Sequence, residues 1–75
     1  MLTECLELDE RVANALEVRC REERWPVQIQ RGIPYRTDNE NQMVFFTVDY
    51  ADSFPFNEKL SDTINRVFNI NTTQQ

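Results

Sequence analysis

Histidine is missing from this chain, glycine occurs once, and lysine supplies a single one of the eight cations. Each scarcity closes off some chemistry. Without His, the commonest general base and metal ligand is gone. Gly32 stands alone, so there is no Gly-rich loop to gather backbone N–H groups around a phosphate, and GxSxG, CxxC and HExxH are absent too. One Gly with three Pro excludes collagen-like and low-complexity classes. No apolar stretch reaches the roughly 18 residues a membrane-spanning helix needs. The opening "MLTECLELDE" has acids where a secretory leader carries a basic start and an apolar run, so an intracellular, cytoplasmic protein is expected.

Cysteine is also scarce. Were Cys5 and Cys20 on one continuous helix, they would lie about 22 Å apart, far beyond the roughly 7 Å that a disulfide allows between Cα atoms. Two thiols without His also fall short of a structural zinc site. Both are expected to be small buried hydrophobes. No metal, cofactor or catalytic residue is expected. "DNENQ", with Asp38 and Glu40, lacks the Gly and the spaced final acid of a calcium loop. Asp49 and Asp52 flank a turn, where acids ordinarily cap.

What is present supports one small globular domain, expected over residues 1–70, with 71–75 as a polar tail. Apolar residues make up 40% of the 75 positions and aromatics 11%, enough for a core. A chain this short buries only about 60% of the surface its unfolded form exposes, so its stability should be thin.

The periodicities predict an α+β domain: an N-terminal helix, a short antiparallel sheet of two or three strands, and a C-terminal helix, the helices lying on one face of the sheet. Thr3 is the expected first cap, with Leu2, Cys5, Leu6, Val12, Ala13, Leu16 and Cys20 forming the apolar stripe. Leu8 and Val18 fall off that stripe. The helix should stop by Trp25, because the residue before Pro26 is pushed out of helical geometry. Within it, "LEVRCRE" (16–22) also alternates as a strand does, and would then supply a third strand; helix propensity favours the first reading. "VQIQ" (27–30) reads as a strand that Gly32 and Pro34 turn into a bulge, an edge or an irregular stretch. "TDNENQ" (37–42) is a polar turn, and "MVFFTVDY" (43–50) a strand. Ser53 or Asn57 should cap a last helix with Leu60, Ile64, Val67 and Phe68 inward.

The aromatics raise the functional question. Residues 44–56 hold Phe45, Phe46, Tyr50, Phe54 and Phe56, five of the chain's eight. Val44, Phe46, Val48 and Tyr50 suit the face beneath the helices, beside Val27 and Ile29. Met43 and Phe45 then point the other way, where no third layer remains to cover them.

Charge is unevenly distributed. Residues 1–18 carry five acids against Arg11, net −4; residues 19–36 carry five Arg against Glu22 and Glu23, net +3; residues 37–75 carry six acids against Lys59 and Arg66, net −4. The total of −5 argues against general adhesion to nucleic acid or anionic membranes. The basic middle either pairs with the acidic flanks and aligns the fold, or meets an acidic partner.

The expectation is therefore a non-enzymatic protein that binds another protein and regulates or inhibits it, a phage-encoded inhibitor being one form of that expectation. Its expected contacts are Met43, Phe45, Trp25, Arg31, Tyr35, Arg36, Phe54 and Phe56, and homodimerisation is one form of the same idea. An alternative is a single-stranded nucleic-acid module in which Trp25 and Tyr35 stack bases among Arg19, Arg21, Arg24 and Arg31. Another is DNA mimicry by Glu4, Glu7, Asp9, Glu10 and Glu17, or by Asp49, Asp52, Glu58 and Asp62.

Overall fold

A computed structural model describes residues 1–37 and 41–69. Five elements follow one another: β1 (Leu2–Asp9), α1 (Glu10–Glu23), β2 (Val27–Arg36), β3 (Gln42–Tyr50) and α2 (Phe56–Phe68). The sheet order is β1-β3-β2, with β3 antiparallel to both neighbours. The α+β class and the antiparallel sheet match the sequence reading. Its N-terminal helix does not: residues 2–9 form a strand, and the third member of the sheet comes from there. Residues 16–22 are helical, as propensity favoured.

The first nine residues pair with β3 because they alternate. Leu6 and Leu8 lie opposite Phe46 and Val44, while Thr3, Cys5, Glu7 and Asp9 occupy the other side. Thr3 caps nothing; its hydroxyl donates across the sheet to Asp49. Asp9 is the actual cap of α1. Its Oδ1 accepts the Arg11 backbone N–H at 2.8 Å, and the Arg11 guanidinium grips both carboxylate oxygens at 3.0 Å. At the other end the helix closes on Arg24 in a left-handed conformation, φ 56°, two residues before Pro26.

Left-handed closures usually take glycine, but the chain's single glycine is needed elsewhere. Between Arg31 and Pro34 the β2–β3 register slips, giving the bulge that the Gly–Pro interruption implied, on an edge strand. A Cβ on Gly32 would lie 3.1 Å from Phe45 Cβ and 3.3 Å from the Phe45 carbonyl oxygen. Close approach, with no positive φ, is the reason for glycine there.

Both helices cover the same side of β3. Val12, Ala13 and Leu16 of α1 are buried with Val44 and Phe46, and Phe56 of α2 is buried with Val48 and Tyr50. Leu6, Val27, Ile29, Leu60, Ile64 and Val67 close the margins. Each large side chain sealed this way contributes about 1.5–3 kcal/mol. The one buried polar side chain among the described residues, Thr63, is satisfied: it donates to the Lys59 carbonyl at 2.8 Å and accepts from Arg19 Nη1 at 2.9 Å.

Two details at α2 depart from expectation. Pro55 occupies the cap position and no side chain bonds there, so neither Ser53 nor Asn57 serves as the cap. Phe68 is not inward; it remains 42% exposed, beneath the Arg11 guanidinium at 4.8 Å. The cysteines are both free and sit on different elements, so the single-helix geometry does not arise. Cys20 packs against the core as a small hydrophobe and burial pushes its thiol pKa up, whereas Cys5 is exposed on the strand. Residues 38–40 of the expected turn, including Asp38 and Glu40, and the expected tail at 71–75 lie outside the described residues. Among the described residues no helix is long and apolar enough to cross a membrane.

Candidate interaction surface on the open face of the sheet

Strand alternation delivers one set of β3 side chains to the helices and the other set to solvent. The outward set is Met43, Phe45, Thr47 and Asp49. Along β1 these face Asp9, Glu7, Cys5 and Thr3; along β2, Met43 faces Tyr35, Thr47 faces Gln30 and Asp49 faces Gln28. The face is graded: Met43, Phe45 and Tyr35 gather at one end with the acids Glu7 and Asp9 beside them, and the Asp49 end carries no aromatic.

Its centre is Phe45, 53% exposed in the middle strand. Two features hold that ring. The bulge at Gly32 lets β2 approach its backbone, and the Tyr35 ring stacks on it with centroids 5.1 Å apart and planes 30° from parallel. Tyr35 in turn donates its hydroxyl to Glu7 Oε1 at 2.6 Å, so one residue from each strand is locked into the same small assembly. The Glu7 carboxylate, by accepting that proton bond, raises the Tyr35 phenol pKa. Ile33, in the bulged stretch of β2, is 83% exposed.

The remaining expected contacts lie elsewhere. Trp25 is buried, its ring flanked by Phe54 at 5.6 Å and capped by the Arg19 guanidinium at 5.2 Å, while its Nε1–H donates to Glu23 at 2.9 Å. Phe56 is buried with its ring stacked on Tyr50 at 5.0 Å, and Phe54 is half-buried between Trp25 and Tyr50. Those three aromatics therefore belong to the interior. Arg36 stands exposed at the end of β2, opposite Gln42. Of the expected set, the fold brings together Met43, Phe45 and Tyr35.

Two of the seven arginines tie distant elements to one another. Arg31 shares the covered side with Val27 and Ile29, and reaches α1 to donate to Glu17 at 3.1 Å, with Glu10 at 3.7 Å. Arg19 donates to Asp62 of α2 at 2.9 Å and to Glu23 at 3.0 Å. Bonds from Arg19, and then from Trp25, hold the Glu23 carboxyl below its ordinary pKa. The basic middle thus pairs with both acidic flanks, the aligning role the charge blocks implied. This arrangement disperses the proposed base-stacking platform: Trp25 is inside, Arg19 and Arg31 are bonded, and Tyr35 lies on the far side of the sheet. It also interrupts the acidic runs, because Asp9, Glu10, Glu17 and Asp62 each have an arginine beside them.

Sequence reasoning missed Glu7 as part of this surface. Glu7 was legible in principle, since Thr3, Cys5, Glu7 and Asp9 alternate, but that pattern was absorbed into a helical stripe. Among the described residues no three acids or thiols gather as a metal ion would require. Compared with known family models, curated proteins and solved structures, the chain matches none.

Proposed function

We propose that this protein is a non-enzymatic binding module that acts by covering a surface on another protein, as a regulator or inhibitor, through the open face of its sheet. The observation that carries this reading is Phe45: a large aromatic, 53% exposed at the centre of the middle strand, with Tyr35 stacked beside it. Scattered surface hydrophobes are ordinary. A ring fixed by a bulge, a neighbouring ring and a cross-strand hydrogen bond is a prepared contact, because little freedom is left to lose on binding. Interface anchors are characteristically aromatic and central, and truncating one costs a binder about 2 kcal/mol or more.

The test is capture from the native host with the immobilised chain, followed by the mass of the eluted complex. The wild-type chain retains a partner that Phe45→Ala loses, while circular dichroism and the melting transition of the variant stay near wild type. Retention of the same partner by Phe45→Ala at equal strength would remove the open face from the function.

A further inference from the structure

We propose that the open face takes a cationic segment of another protein, an arginine or lysine side chain settling over the exposed part of the Phe45–Tyr35 ring pair and against the Glu7 carboxylate. This rests on the protein-binding reading above and adds the chemistry of the partner.

The first argument is the sign of the charge. The strand positions on this face carry Glu7, Asp9 and Asp49, and no Lys or Arg. The chain has seven arginines, and those that bond most heavily, Arg19 and Arg31, do so on the helix side. Asp9 is neutralised locally by Arg11, which holds its carboxyl below the ordinary range. Glu7 and Asp49 have hydroxyl donors, from Tyr35 and Thr3, but no cation among the described residues. The face therefore presents uncompensated negative charge beside aromatic surface.

The second argument is geometry. Glu7 Oε1 accepts from Tyr35, which fixes the carboxylate next to the rings; its other oxygen accepts no hydrogen bond among the described residues. A cation placed there meets a ring surface and a charged acceptor together, the combination that favours guanidinium and ammonium groups. The same charge opposes the other occupants. Nucleic-acid phosphates are repelled, and a second copy of this chain would set like charges against each other.

The experiment uses the isotopically labelled full chain and one synthetic peptide in three versions, with arginines, glutamines or glutamates at the same positions. The arginine version should move the amide resonances of Glu7, Tyr35 and Phe45, and the other two should not. Glu7→Gln should weaken that binding about two- to fivefold, while Glu58→Gln, at an exposed position of α2, should leave it unchanged. Equal binding of the glutamine version overturns the partner chemistry and leaves the protein-binding reading intact. Perturbations confined to the helices, no perturbation by any version, the same shifts produced by oligothymidylate, or concentration-dependent shifts without peptide each overturn it as well. The broader reading fails separately, on the capture experiment with Phe45→Ala.

Discussion

The two sides of β3 are built from the same kind of residue and meet opposite fates. Val44, Phe46, Val48 and Tyr50 are at most 4% exposed, whereas Phe45, adjacent to two of them, is 53% exposed. Hydrophobicity does not distinguish Phe45 from Phe46. The supply of covering material does: both helices lie on one side, and the thinnest dimension of the molecule, 17 Å, leaves room for a sheet and a single helical layer. An aromatic on the bare side is then held by neighbours in its own sheet, not by a second layer.

The sharpest way to break this comparison is to truncate each phenylalanine in turn. Phe46→Ala should cost about 3–5 kcal/mol, on the scale of a small domain's entire stability. Its near- and far-ultraviolet circular dichroism should be those of a largely unfolded chain at room temperature. A cooperative melt close to wild type would mean that the helices do not anchor on that side of the strand. Next in size is Gly32→Ala. The added methyl must displace Phe45 or its carbonyl, at a cost of about 1–3 kcal/mol, read from the urea midpoint, and the Tyr35–Phe45 ring contact should weaken in nuclear Overhauser spectra. Phe45→Ala should cost only about 0.5–1 kcal/mol, the worth of its stacking on Tyr35. If it destabilises as much as Phe46→Ala, the two sides are equivalent and the open face is ordinary core.

The smallest effect is ionic and separates the two tyrosines by side. Tyr35 donates to Glu7 on the open face and Tyr50 to Glu4 on the covered one, both at 2.6 Å, and these acceptors raise both phenol pKa values. A raised acid means that the neutral phenol is the form the fold favours. Its stabilisation is complete below the free tyrosine value of about 10 and fades as pH climbs through the folded value. Absorbance titration should show both phenols ionising late. Glu7→Gln should bring Tyr35 earlier and leave Tyr50 unmoved; an equal response of both would show that the shift is a general effect of net charge.

Much of this arrangement was legible beforehand. The alternation of 43–50 identified the covered residues correctly, because every second position there is large and apolar. The bulge followed from Gly32 and Pro34, and the second half of α1 from its propensities. The first strand was hidden for a definite reason. Glu4 stands on the covered side, where it accepts from Tyr50, so the alternation of Leu2, Leu6 and Leu8 has a charged gap. Adjacent Cys5 and Leu6 then imitate three- and four-residue spacing. Leu8, off that stripe, was the contrary sign, and it is among the most buried residues of β1. The inward fate of Trp25 and Phe56 was not readable from local pattern. Trp25 is fixed by Arg19 and Phe54, and Phe56 by Tyr50, contacts that exist only after tertiary assembly.

The order of strands has a consequence in time. The middle strand is the last of the three to be synthesised, and Leu2 must wait for Tyr50 before it has a neighbour. A nascent chain that has emerged only as far as the second strand owns two would-be edges and nothing to place between them. The sheet of such a molecule closes in one late step, when its third strand arrives and joins the other two.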